Sequence, residues 1–157
     1  MSKQYYVREG RRFVKVDVPS VVDHRGEYYN ADGSFSKEKR DDSVGVCIIQ
    51  SPTECIICGL IEWENVSPDM IISLSRNFPD WRLGEQEEMH IAVKFYQTQL
   101  NFRRGVYYRI HLCLSGGSAD YGANDGLFCF NVPSDSSLAC AHFDGRYLLR
   151  LFKTVKL

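Results

Sequence analysis

Hydrophobic and polar positions alternate most regularly between Met89 and Leu114, MHIAVKFYQTQLNFRRGVYYRIHLCL. Met89, Ile91, Val93 and Phe95 interleave with His90, Ala92, Lys94 and Tyr96, and Val106, Tyr108, Ile110, Leu112 and Leu114 with Tyr107, Arg109, His111 and Cys113. A period of two puts one set on a buried face and the other toward solvent or a partner. Asn101 to Gly105 separates the runs and supplies turn residues. The pattern predicts two long antiparallel strands at the centre of a β-rich domain.

Elsewhere the same reading gives shorter strands divided by turn signals. Phe13 to Val18 alternates and is stopped by Pro19, while Tyr5, Tyr6, Arg8, Arg11 and Arg12 make residues 1–12 look like a mobile or partner-ordered arm. Asp23 to Ser43 loses periodicity and reads as a contact loop, in which Asp32-Gly33 suits a small hairpin. Val44 to Gln50 and Cys55 to Trp63 are apolar strands, the second covered on both faces at its start. Asn65 to Asp69 reads as a turn and Met70 to Leu74 as a short strand. Asn77 to Glu88 is a connector with room for one helical turn near Pro79, and Ser115 to Gly126 is a glycine-rich loop. Leu127 to Val132 is a strand ended by Pro133, Leu138 to Phe143 a short strand or helical turn, and Arg146 to Leu157 a last strand. No long amphipathic helix stands out, so the expected fold is all-β. It is an antiparallel two-sheet β-sandwich of jelly-roll or Greek-key type, one domain over residues 13–157 behind the arm.

Composition changes this picture little. At 157 residues the chain closes a core of its own, and nine Tyr with nine Phe favour strands. No apolar run reaches membrane-spanning length, and MSKQYYVREGRR lacks the apolar stretch of a secretory signal, so the expected compartment is cytoplasm or nucleus. The net charge of −1 is uneven: residues 1–88 carry 11 Lys/Arg against 16 Asp/Glu, and residues 89–157 carry 8 against 4. That asymmetry suits a dipolar surface meeting an anionic partner or copies of itself, and ordinary scatter also explains it.

Candidate chemistry is sparse. Cys55-Ile56-Ile57-Cys58-Gly59 offers two thiolates to Zn²⁺, with Cys140 and His142 at a spacing that completes a tetrahedral set. The competing reading is buried structural thiols, because two isoleucines are out of place in an exposed knuckle. His90 and His111 fall on the outward faces of the two central strands, but no nucleophile motif accompanies them. For nucleic acid, Lys94, Arg103, Arg104, Arg109 and His111 form a basic outward row, joined by Arg146, Arg150 and Lys156 on the last strand, with Tyr96 and Tyr107 to stack on bases. A sequence pI near 6.4 and the missing Arg-rich arm weigh against that partner. Tyr28, Tyr29, Trp81 and Tyr121, expected in loops, suit contact with a protein or a glycan.

The leading expectation is a non-enzymatic interaction or assembly protein that works through a protein partner or self-assembly, with no membrane role and no resident cofactor. Size and strand pattern are compatible with the small jelly rolls of viral structural and movement proteins, an analogy of fold that does not establish function. Two alternatives stand beside it. One is a carbohydrate- or small-ligand-binding sandwich; the other is a zinc-dependent Cys/His protein.

Overall fold

A computed structural model describes residues 2–19, 22–103, 106–110, 128–132, 138–140 and 147–157. The fold is mostly β, with two sheets rich in antiparallel pairs, and helices fill places where strands were expected. The stretch read as an arm is a strand: β1 (Ser2–Glu9) pairs along its whole length with β2 (Arg12–Pro19). Gly10, at φ +60°, carries the turn between them. β3 (Tyr28–Asn30) and β4 (Phe35–Ser36) form the hairpin that Asp32-Gly33 announced, with Gly33 at φ +86°.

β5 (Ser43–Gln50) and β6 (Glu54–Gly59) are the long apolar strands, followed by β7 (Trp63–Val66). Then comes α1 (Pro68–Asn77), where a strand was expected. Its start is encoded locally: the Ser67 hydroxyl accepts from the Met70 N–H, Pro68 needs no donor in the first turn, and Asp69 suits the positive helix end. β8 (Arg82–Leu83) leads into α2 (Gln86–Phe95) and the single turn α3 (Gln97–Leu100).

α2 overturns the first half of the expected central hairpin. As a helix it buries Met89 and Ala92 and leaves Phe95 64% exposed, whereas the strand reading put Ala92 outside and Phe95 inside. Glu88 settles the start by accepting from the Glu85 N–H at 2.8 Å, one leg of a capping box. The second half is correct, since Val106–Ile110 is β9. β10 (Phe128–Val132) and β11 (Leu138–Cys140) match expectation, but the last strand is two: β12 (Tyr147–Leu149) and β13 (Leu151–Lys156).

The two larger sheets run β4-β3-β5-β6-β13-β8 and β11-β10-β9-β12-β7. All their pairings are antiparallel except β9 with β12. The main core draws on both sheets. Val46, Ile48, Cys58 and Phe152 from the first sheet meet Met89 and Ala92 of α2, and Tyr108, Ile110 and Leu148 of the second. The opposite face of the six-stranded sheet carries its own cluster of Tyr29, Cys47, Cys55 and Ile57. No helix among the described residues is long and apolar enough to cross a membrane. The expected 115–126 loop and residues Arg104, His111, Tyr121 and His142 lie outside the described residues.

Candidate functional site: an aromatic cleft where two strands change sheets

Two neighbouring stretches of chain pass from one sheet to the other at the same level. β6 continues through Leu60, Ile61 and Glu62 into β7, and β12 continues through Arg150 into β13. β6 pairs with β13 and β7 with β12, so the two crossings run side by side as one bent antiparallel ladder. Strands that switch sheets at a bend are how two packed sheets share a corner.

An ionic group locks the bend. Arg150 is only 5% exposed; its guanidinium lies over the Phe102 ring at 4.5 Å and makes long 3.5 Å hydrogen bonds to the Gly59 and Asn101 carbonyls. Glu62, with a side chain 14% exposed, supplies the countercharge at 3.8 Å. The same carboxylate accepts from the Tyr108 hydroxyl and pairs with Arg103 Nε at 2.9 Å. Arg103 also reaches the exposed Glu64. Burial, and then the hydrogen bond to Glu62, hold the Tyr108 phenol above its ordinary range.

On the outside of this corner lies an apolar cleft of ≈ 130 Å³, lined by Val44, Gly59, Ile61, Trp63, Phe78, Trp81 and Leu151. Both tryptophans of the chain are in it. The exit of α1 delivers two of the rings: the Phe78 N–H closes the helix on the Leu74 carbonyl at 2.8 Å, and the Trp81 N–H returns to the Phe78 carbonyl at 3.0 Å. Pro79 sets the backbone of that turn. Trp63 and Phe78 meet at a tilt, with centroids 5.9 Å apart. Gly59 leaves room for the Trp81 ring, since a Cβ there would stand 3.4 Å from Trp81 Cζ3 and 2.9 Å from the Leu151 carbonyl oxygen. At the mouth Ile61 is 59% and Phe78 39% exposed. No lining side chain carries a charge or a group that could move a proton.

The residues singled out from sequence are dispersed. Among the described ones, Trp81 alone lines the cleft. Tyr28 and Tyr29 are on β3 rather than in a loop, Tyr28 against the main core and Tyr29 buried in the second cluster. Arg109 is buried, not outward: its Nε donates to the Val66 carbonyl at 3.2 Å and its guanidinium lies over Tyr147 at 4.7 Å. Arg150, expected outside, is likewise interior, and Arg103 is engaged by two carboxylates. The basic row expected for nucleic acid therefore does not form from Arg103, Arg109 and Arg150. His90 is exposed on α2, so it is not the strand neighbour of His111.

The Cys-x-x-Cys segment is straight strand. Cys55 belongs to the outer cluster with Ile57, and Cys58 to the main core, because residues three apart on a strand face opposite sides. One metal ion cannot bind both thiolates in that geometry. Cys140 ends β11, and among the described residues no three metal-ligating side chains converge. Cys55 instead has Cys47 beside it: a thiol hydrogen bond, with burial adding to it, raises Cys47, and the same bond lowers Cys55. Burial pushes the Cys58 thiol up to about 12.

Ile61, Trp63, Phe78 and Leu151 were missed as site residues. Their one signal was that the chain has two tryptophans, each within a few residues of a proline or glycine. No protein-family model, curated protein or solved structure matches the chain.

Proposed function

We propose that this chain is a non-enzymatic interaction protein, built on a two-sheet sandwich, whose corner cleft seats one apolar side chain of a protein partner. The observation that carries the reading is the cleft itself: concave, aromatic, open at Ile61 and Phe78, and with no charged, hydroxyl or amide side chain in its lining. Binding pockets are characteristically apolar with a few polar groups to orient the ligand. A lining with none suits a side chain that arrives already oriented by its own backbone. The size agrees, since an apolar cavity of about 150 Å³ accepts a benzene-sized group. A sugar ring fits less well, because its hydroxyls would lose water without gaining hydrogen bonds.

Fully burying a Leu or Phe side chain contributes about 1.5–3 kcal/mol. A lone capped residue therefore binds in the millimolar range or weaker. The test is a ¹⁵N NMR titration with N-acetyl-leucinamide, N-acetyl-phenylalaninamide and N-acetylglucosamine. The amides are expected to shift the Trp63 and Trp81 indole N–H signals, and Ile61→Asp, which sets a charge at the mouth, to abolish the effect. Shifts with the sugar alone would favour glycan binding. No indole shift with either amide would reject the cleft as a receptor.

A further inference from the structure

Trp81 does more than wall the cleft. The Lys153 ammonium stands 5.8 Å from the centre of its ring and 5.7 Å from that of Tyr29. Lys153 is two residues along β13 from Leu151, and it opposes Ile57, two residues along β6 from Gly59. Leu151 and Gly59 both line the cleft, so the lysine rises from the same sheet face immediately beside it. One indole thus bounds the cavity and holds a cation at its flank.

The other cations around the corner are committed. Arg103 is paired with Glu62 and Glu64, Arg150 with Glu62, and Arg82 with Glu88 through two 2.7 Å hydrogen bonds. Among the described residues no carboxylate pairs with Lys153, and Asp80, exposed on the turn beside Trp81, does not reach it. Two aromatic faces orient an ammonium and hold it in place, but they leave its charge uncancelled. A charge fixed next to an apolar cavity selects what enters the cavity with a complementary charge nearby.

We propose that the partner segment carries an Asp or Glu one or two residues from its apolar anchor, and that Lys153 receives that carboxylate. This rests on the reading of the cleft as a side-chain receptor. An extended chain advances about 3.3–3.6 Å per residue, so one or two residues span the width of the Trp81 ring to the ammonium. An apolar side chain in the cleft and a carboxylate on Lys153 make a two-point contact that fixes the direction of the segment.

The test compares the capped pentapeptide Gly-Asp-Leu-Asp-Gly with its uncharged counterpart Gly-Asn-Leu-Asn-Gly, titrated into the full chain and followed on the Trp63 and Trp81 indole signals. The acidic peptide is expected to bind about threefold to fivefold more tightly, the gain of a partly exposed ion pair. That advantage should vanish in Lys153→Gln, return in Lys153→Arg, and shrink as salt rises toward about 0.5 M. Equal binding of the two peptides to the native chain, or a preference that survives Lys153→Gln, would overturn the role of Lys153 and leave the cleft standing. If neither peptide binds, the receptor reading falls and this inference falls with it.

Discussion

Glu62→Gln tests the corner most directly. The substitution keeps the size of the side chain and an acceptor for the Tyr108 hydroxyl, and it removes the charge that faces the buried Arg150 and the half-exposed Arg103. Two opposite charges about 4 Å apart attract by about 4 kcal/mol at the effective dielectric of a partly wet site. The Phe102 ring and the Gly59 and Asn101 carbonyls still face the guanidinium, and Glu62 is near enough to solvent for water to enter. Stranding a buried cation costs about 3–5 kcal/mol where nothing compensates, so we expect a loss of about 2–3 kcal/mol. For a chain of this length that lowers Tm by roughly 5–10 °C. Glu64→Gln is the control: it touches the same Arg103, but both partners are half-exposed, and the loss should stay below about 1 kcal/mol. Urea unfolding followed by tryptophan fluorescence reads both, with an unchanged m-value licensing the comparison. Equal losses in Glu62→Gln and Glu64→Gln would refute the assignment of Glu62 as the countercharge of the corner.

Three further outcomes follow from the packing and the titrating groups. Gly59→Ala should cost about 1–3 kcal/mol and displace the Trp81 ring, seen as a changed fluorescence maximum and weaker N-acetyl-leucinamide binding, because the new methyl meets the Leu151 carbonyl oxygen at 2.9 Å. In the native protein at pH 8, iodoacetamide should leave Cys47, Cys55 and Cys58 unmodified and reach them only when urea unfolds the chain, read by peptide mass mapping, because all three thiols are at most 1% exposed. Stability should fall as pH rises from about 9 toward 12, since Cys58 (ordinarily 9.0) and Tyr108 (ordinarily 10.0) stay protonated in the folded chain while the unfolded chain ionises; Cys58→Ala should flatten that slope in urea titrations.

Much of the strand order was legible because the signals were local. Pro19 ended β2, Ser51-Pro52 ended β5, and Asp32-Gly33 turned β3 into β4, each through backbone chemistry that operates within four residues. The two errors of type had local signals as well, outweighed by periodicity. Met89 to Phe95 is seven residues long, too short to separate a period of two from one of 3.6, and the acidic run from Glu85 to Glu88 was the better indicator. Ser67-Pro68-Asp69 spelled a helix start before Met70 in the same way. The site was harder. A charged residue within an apolar strand reads as solvent-facing, and Arg150 turned inward only because Glu62, 88 positions earlier, meets it across a crossing that no local pattern encodes. Arg109 was misread for the same reason, since the groups that face its guanidinium, the Val66 carbonyl and the Tyr147 ring, are distant in sequence.

The cleft and the ionic corner are two consequences of one bend. On one side of the bend the Gly59 and Asn101 carbonyls both face the Arg150 guanidinium, a planar fork that can donate to two acceptors while stacking on Phe102. Gly59, which supplies one of those carbonyls, also borders the cleft, where the rings of Trp63, Phe78 and Trp81 leave a gap beside Ile61 and Leu151. Gly59, Trp63 and Leu151 belong to the strands beside the charge pair, and Phe78 and Trp81 to the connector after α1, each tied by a backbone hydrogen bond. A cavity of that kind loses little conformational freedom when occupied, so more of the burial energy of one apolar side chain remains as affinity. This makes rigidity the property that separates a receptor from a packing defect. A receptor predicts that Glu62→Gln, by loosening the corner, weakens N-acetyl-leucinamide binding without touching a single residue that lines the cleft.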